Sequence, residues 1–79
     1  MKIEILGTGC AKCRATEKIV RKAVEELGIQ AEVVKVEDLQ DIINRGVMMT
    51  PAVVVDGEVK IVGHQPNIEE IKKIINKKR

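Results

Sequence analysis

The sequence predicts a small α/β domain in which a mixed four-stranded sheet carries helices on both faces. Two short strand-like segments early in the chain are separated by a long helical repeat, which is typical of parallel strands joined by a crossover helix. Later, Asp56-Gly57 separates two more strand-like segments, and this dipeptide is the strongest short signal for a hairpin. A last helical repeat follows. The predicted order over one domain of 79 residues is β-α-β-α-β-β-α.

The first half of the chain supplies a strand–helix–strand unit and a short second helix. Lys2 to Leu6 has the pattern of the first strand. From Ala11 to Leu27 apolar residues recur at helical spacing, and Gly28 has the role of the glycine that ends a helix. Ala31 to Val36 predicts the second strand. A short helix is expected from about Asp38 to Arg45.

The second half predicts a hairpin and a terminal helix. Residues 52–55 are continuously apolar, as a buried strand should be, whereas residues 58–62 alternate and suit an edge strand protected by outward charges. Asn67 is a suitable N-cap for the last helix, and Glu70 stands at the capping-box position. The expected buried stripe of this helix consists of isoleucines: Ile68, Ile71, Ile74 and Ile75.

Composition limits the classes of function. The chain has no Phe, Tyr or Trp, so its core must be aliphatic, and its net charge is only +2. Neither feature favours nucleic-acid binding, which relies on basic surfaces and aromatic stacking. The N-terminus has the pattern of a strand and not of a signal peptide, and no segment approaches the ~20 apolar residues of a membrane helix. We therefore expect a cytoplasmic protein without a membrane partner; abundant Ile, Val, Lys and Glu hint at a thermophilic source.

The two cysteines are the most informative residues. Cys10 and Cys13 stand two residues apart, where the first strand pattern gives way to the helical repeat. This position places Cys10 at a helix N-terminus, where unpaired N–H groups and the helix dipole stabilise the reactive thiolate. A second sulfur one turn later can attack a mixed disulfide formed on Cys10, which closes a reversible redox cycle. In the cytoplasm such a pair favours catalysis or metal binding over a structural bridge.

Thr50-Pro51 directly precedes the third strand. Proline cannot donate to a sheet ladder, so one interpretation is a simple strand-entry residue. The other is a cis-proline that lies against the cysteine motif and leaves the Thr50 backbone free to pair with an extended substrate. Only about one X–Pro bond in twenty is cis.

These features in this order resemble the thioredoxin superfamily: Cys10-Ala11-Lys12-Cys13 after the first strand, Thr50-Pro51 before a hairpin strand, and a last helix. More narrowly, the chain is similar to small, glutaredoxin-sized redox-active disulfide proteins, and the resemblance covers essentially the whole chain. It implies a thioredoxin-like fold in which Cys10 is the exposed nucleophile and Cys13 the resolving cysteine. It also implies that Pro51 is the cis-proline and that Thr50 contributes backbone hydrogen bonds to a bound polypeptide.

The activity implied by this resemblance is reduction of protein disulfides. We expect a monomer without a cofactor or a bound metal, supplied with electrons by a donor of the thioredoxin-reductase type. Two departures stand out: Gly9 replaces the Trp that usually precedes the motif, and Ala11-Lys12 replaces Gly-Pro within it. The loop after the fourth strand lacks the acidic residues with which glutaredoxins hold glutathione, which argues against glutathione use.

Two charged residues are candidates for tuning the cysteines. Lys12 is expected to stabilise the Cys10 thiolate, and the alternative is an ordinary exposed position in the first helical turn. Glu4 stands six residues before Cys10, where thioredoxins carry a buried acid that accepts a proton from the resolving cysteine. By that resemblance Glu4 assists deprotonation of Cys13. The alternative is a polar residue on a partly covered face of the sheet.

Two other functions use the same cysteine motif. Small carriers of copper or zinc place two thiolates after their first strand, and thiolates suit soft metals. Those carriers run βαββαβ and end in a strand, and one histidine, His64, is poor support for a four-coordinate zinc site. A regulatory redox module that docks a partner without turnover is the third hypothesis.

Overall fold

The computed structural model of the chain describes residues 1–9 and 11–78, without the side chains of residues 77 and 78. Its helices and strands are β1 Lys2–Leu6, α1 Ala11–Leu27, β2 Glu32–Val36, α2 Leu39–Asn44, β3 Ala52–Val55, β4 Glu58–Val62 and α3 Ile68–Lys78. The predicted fold class and element order are confirmed. Within the described ranges, no helix is both long enough and apolar enough to cross a bilayer.

The sheet has the order β2-β1-β3-β4 and is mixed. β1 and β2 run parallel, because α1 carries the chain back across the sheet between them. β3 is antiparallel to β1, and β4 is antiparallel to β3. The carboxyl ends of β1 and β2 therefore lie at the same end of the sheet as the start of β3. This geometry brings the segment after β1 close to the segment before β3.

Each face of the sheet packs against different helices. Side chains of successive strand residues point to opposite faces, so each inner strand contributes side chains to two cores. The core beneath α1 and α3 contains Ile3, Ile5, Val20, Ala23, Val53, Val55, Ile61, Ile71 and Ile75. The core beneath α2 contains Leu6, Val36, Ile42, Val47, Ala52 and Val54. Both are aliphatic, as the composition requires.

The hairpin turn between β3 and β4 is the predicted one. Asp56 has φ 50° and Gly57 has φ 85°, so both central residues adopt the left-handed backbone of a type I′ turn. The turn also fixes the start of β1, because the Asp56 N–H donates to the Lys2 carbonyl at 2.8 Å. In return the Lys2 N–H donates to Asp56 Oδ1 at 2.8 Å.

The alternation of inward and outward side chains that is predicted for β4 is interrupted at the centre of the strand. A simple alternation places Val59 and Ile61 on one face, but the register shifts: Val53 pairs with Ile61 and Val54 pairs with Val59. Such a bulge places an extra residue in one strand and moves the following side chains to the other face. Ile61 is therefore buried beneath α1 and α3, whereas Val59 is exposed.

The short helices and caps are set by local hydrogen bonds. The Glu70 N–H donates to Asn67 Oδ1 at 2.8 Å, which confirms the predicted N-cap of α3. The Glu70 carboxylate lies 3.1 Å from His64 Nε2 and pairs with that ring. In a capping box it would instead accept a hydrogen bond from the Asn67 backbone N–H. At α2, Asp38 Oδ1 accepts from the Asp41 N–H at 3.1 Å, so Asp38 is the cap and the helix is shorter than expected.

Candidate active site

Cys13 lies buried in the first turn of α1. Its exposed fraction is 5%. Gly7, directly after β1, packs against it: a Cβ atom at position 7 would lie 2.3 Å from Cys13 Sγ and 2.8 Å from Cys13 Cβ. No side chain fits such a gap in a close-packed interior. The Gly7 N–H donates to the Val36 carbonyl at 3.0 Å, which fixes this backbone against the end of β2.

The packing role of Gly7 was not predicted from the sequence. Gly9, Gly28, Gly46, Gly57 and Gly63 all have positive φ, whereas Gly7 does not. Gly7 is therefore required for space and not for backbone conformation. The signal that points to it is a glycine directly after a buried strand, facing the helix that carries the second cysteine.

Cys10 lies outside the residues that the structure describes, so its exposure and nucleophilic role stay predictions. The described residues beside it are well defined. Gly9 has φ 91°, and its carbonyl accepts a hydrogen bond from Arg14 Nη1 at 2.7 Å. Ala11 begins α1. The Lys12 side chain is exposed, and its effect on the Cys10 thiolate also stays a prediction.

The segment before β3 forms the other side of the site. The peptide bond between Thr50 and Pro51 is cis, and Pro51 is buried. The Gly63 N–H donates to the Pro51 carbonyl at 2.9 Å, so the end of β4 holds this segment in place. A Cβ atom at Gly63 would lie 3.2 Å from Met49 Cε, which shows how closely the two segments approach. The predicted substrate-binding roles of Thr50 and Pro51 are not tested by this geometry.

An apolar cavity of about 250 Å³ lies between the segment after β1 and the segment before β3. Its lining is Thr8, Leu39, Ile42, Ile43, Val47, Met48 and Thr50. Several apolar side chains at and beside its rim are exposed, among them Leu39, Ile43, Met49 and Met48, which is 85% exposed. Clusters of exposed apolar side chains mark surfaces that bind partners. We name this region the apolar cavity.

A second cavity of about 240 Å³ lies beside Cys13 on the α1 side of the sheet. Its lining is Ile5, Gly7, Gly9, Cys13, Arg14, Glu17, Lys35 and Glu37. The Glu17 side chain is only 19% exposed and forms two ion pairs, with Arg21 Nε at 3.0 Å and with Lys35 Nζ at 3.7 Å. Lys35 Nζ also lies 3.9 Å from Glu37 Oε1. We name this region the charged cavity.

The place of Glu17 in the lining of this cavity was not predicted from the sequence. The available signal is its spacing, four residues after Cys13, which places both side chains on one face of α1. Lys35 could not be assigned to the site from sequence, because its contact with Glu17 depends on how β2 packs beside α1.

Glu4 is buried, at 5% exposed, but on the α2 face of the sheet. Strand alternation places it on the same face as Leu6, which belongs to the core beneath α2. Glu4 Oε2 lies 2.5 Å from Arg45 Nη1, at the C-cap of α2. The described lining of the charged cavity beside Cys13 does not include Glu4. The predicted assistance of Glu4 to Cys13 is not tested by this geometry.

Comparison with known proteins identifies the family. The family described as "Thioredoxin domain" matches residues 1–76. A thioredoxin of Methanothermobacter thermautotrophicus is 50% identical over 76 residues, which cover 96% of this chain and 99% of that protein. A thioredoxin of Methanocaldococcus jannaschii is 51% identical over 70 residues, covering 89% of this chain and 80% of that protein. The chain therefore belongs to the thioredoxin family.

Proposed function

We propose that the chain is a thiol–disulfide oxidoreductase that reduces disulfides of protein substrates through Cys10 and Cys13. Family membership supports the general class of activity. The observation that carries the proposal for this chain is the burial of Cys13 against Gly7, in the first turn of α1. A sulfur buried in this way cannot meet a protein disulfide first. It is suited to attack a bond already formed on its neighbour in the motif.

The proposed reaction has two exchange steps. The Cys10 thiolate attacks one substrate sulfur, the other substrate sulfur leaves as a thiolate, and a mixed disulfide forms. Cys13 then attacks Cys10 Sγ, which forms the Cys10–Cys13 disulfide and releases the second substrate thiolate. Two electrons pass to the substrate, and a donor of the thioredoxin-reductase type restores the dithiol. A cytoplasmic setting, as expected from the sequence, favours this reducing direction.

The apolar cavity is the proposed docking site for the substrate polypeptide. Met48 and Met49 are exposed beside it, and methionine re-packs readily against partners of different shape. The backbone of Thr50 is proposed to pair with an extended segment of the substrate, as in recognition by strand addition. Binding through backbone atoms and adaptable apolar side chains fits a reductant that acts on several proteins.

Reduction of insulin disulfides, with dithiothreitol as electron source, tests the proposal. The wild-type chain should accelerate insulin precipitation over dithiothreitol alone, and the Cys10→Ser and Cys13→Ser variants should not. A parallel titration with zinc and with copper(I) tests the metal-carrier alternative. A wild-type rate equal to the dithiothreitol background, together with tight stoichiometric metal binding, would replace the proposal with that alternative.

A further inference from the structure

The resolving step requires that a buried thiol lose its proton. Cys13 must become a thiolate before it can attack Cys10 Sγ, because the thiolate is the nucleophile. At 5% exposure, the Cys13 side chain has little direct contact with bulk water. A nearby group that accepts the proton therefore accelerates this step below the ordinary thiol pKa of about 8.5.

Glu17 has the position of such an acceptor. It follows Cys13 by one helical turn on α1, and both residues line the charged cavity. Its carboxylate is held by cations from two elements, Arg21 on α1 at 3.0 Å and Lys35 on β2 at 3.7 Å. These ion pairs restrict the position of the carboxylate. A positioned carboxylate that lines the same small cavity as a thiol is suited to accept a proton.

The cavity can hold the connecting water. A water molecule occupies about 30 Å³ of liquid volume, and a bridging water needs several polar partners. The charged cavity has about 240 Å³, and its lining includes the charged residues Glu17 and Lys35. We propose that Glu17 is the proton acceptor for Cys13 in the resolving step and acts through water in this cavity. This inference rests on the proposed function and assigns a further residue to it.

The other charged groups around Cys13 are less suitable. Glu37 also lines the cavity, but its side chain is largely exposed and approaches Lys35 only at 3.9 Å. Glu4 is paired with Arg45 on the opposite face of the sheet. Arg14, the remaining charged residue in the described lining, is a cation and donates to the Gly9 carbonyl. Of the carboxylates that the structure describes here, Glu17 combines burial with a place beside Cys13.

The Cys13 proton passes through water to the Glu17 carboxylate, and the Cys13 electron pair forms the bond to Cys10 Sγ. The bond between Cys10 Sγ and the substrate sulfur breaks, and the substrate leaves as a thiolate. The proton on Glu17 then passes through the cavity to solvent or to that thiolate. The dithiol is oxidised, and the substrate disulfide is reduced.

A chromogenic aromatic disulfide separates the two exchange steps. The first coloured thiolate reports attack by Cys10, and the second reports resolution by Cys13. In rapid mixing with the reduced protein, we expect Glu17→Gln to leave the first phase unchanged. The second phase should slow at least about tenfold near pH 6 and approach the wild-type rate as the pH rises toward the range where a thiol ionises without help.

A purely electrostatic or structural role gives a different result. Removal of a negative charge beside a thiol favours the thiolate, so it would speed the second phase at low pH. Glu17→Asp keeps the carboxylate and should recover part of the wild-type pH profile. Glu37→Gln removes a charge from the same cavity, Glu4→Gln removes the buried carboxylate of the other face, and both should keep the wild-type profile.

The outcomes distinguish this inference from the proposed function. An unchanged or faster second phase in Glu17→Gln overturns the role of Glu17 while leaving the redox cycle in place. A second phase that slows at low pH in Glu4→Gln or in Glu37→Gln, and not in Glu17→Gln, also overturns it. Absence of both coloured phases in the wild-type protein contradicts the proposed function itself.

Discussion

The two cavities near the cysteine segment have similar volumes but different linings, one charged and the other mainly apolar. The charged cavity, about 240 Å³, lies on the α1 side and contains Cys13, Glu17 and Lys35. The apolar cavity, about 250 Å³, lies between Thr8 and Thr50 and is lined mainly by apolar residues around α2. The difference indicates a division of tasks. The proposed proton acceptor lies on one side of the cysteine segment, and the proposed docking surface for a partner polypeptide lies on the other.

This division follows from strand alternation. Ile5 faces α1 and contributes to the charged cavity, whereas its neighbours Glu4 and Leu6 face α2. The acid at position 4 of β1 therefore lies on the α2 face of the sheet, whereas the acid on α1 one turn after Cys13 lines the charged cavity with it. Variants at Gly7, Arg45 and Met48 each disturb one of the two sides, and a variant at Lys72 disturbs neither.

The largest effect is expected for Gly7→Ala, which disturbs the charged side. A Cβ atom at this position meets Cys13 Sγ at 2.3 Å, so the first turn of α1 must shift. We expect a loss of about 2–3 kcal/mol in the free energy of unfolding and a much slower second phase in the aromatic-disulfide assay. Denaturant unfolding measures the first quantity. Thr8→Ala, at the exposed neighbouring residue, is the control and should cost less than about 0.5 kcal/mol. Equal stability of Gly7→Ala and wild type would contradict the packing.

Arg45→Ala disturbs the α2 side. It leaves the Glu4 carboxylate buried without this cation, although Arg45 itself is partly exposed. The loss of stability at neutral pH should be about 2 kcal/mol, less than for a fully buried pair. The double variant Glu4→Gln/Arg45→Ala should be more stable than Arg45→Ala alone, because no unpaired charge remains. The pH profile of the second phase should not change in any of these variants, and a change would place Glu4 in the proton path.

Met48→Lys tests the apolar cavity without touching the cysteines. A charge on this exposed side chain should lower kcat/KM for a protein disulfide by about tenfold, equivalent to about 1.4 kcal/mol of binding free energy. The rate with the small aromatic disulfide should stay at the wild-type value. Val59→Lys adds the same charge at an exposed residue of the edge strand β4 and should affect neither substrate. Equal losses for Met48→Lys and Val59→Lys would show that charge, and not the cavity, governs docking.

The smallest effect is expected far from both cavities, where Lys72 Nζ pairs with Glu26 Oε1 at 2.5 Å and joins α3 to α1. The hydrogen bond from Lys72 lowers the pKa of Glu26, and the same bond raises the pKa of Lys72. The stabilisation is therefore present above the unfolded-state pKa of Glu26 and is lost as the pH falls through its folded-state pKa. It is also lost as the pH rises through the folded-state pKa of Lys72.

Lys72→Gln should accordingly reduce stability slightly at neutral pH and low salt. The difference from wild type should vanish in acid and at high salt, because an exposed ion pair is screened. Lys73→Gln removes a neighbouring charge and is the control. Thermal unfolding measured across pH and salt checks the prediction, and a difference that persists in acid would contradict it.

Features with a local cause could be predicted from the sequence. The Asp56-Gly57 turn, the Asn67 cap and the bounds of α1 follow from residues that are neighbours in the chain. The family resemblance then assigned Cys10 and Cys13 to their roles. The packing of Gly7 on Cys13 and the contact between Glu17 and Lys35 could not be predicted. They depend on the placement of β1 and β2 against α1, which periodicity does not specify.

The most direct test of the redox account is intact-mass spectrometry of two serine variants after reaction with a protein disulfide. The account predicts that Cys13→Ser accumulates a covalent adduct of one substrate chain through Cys10, because the resolving sulfur is absent. Cys10→Ser should accumulate none, because Cys13 is buried against Gly7. Adducts that form equally fast on Cys10→Ser, or on neither variant, would contradict the assignment of a nucleophile and a resolving cysteine.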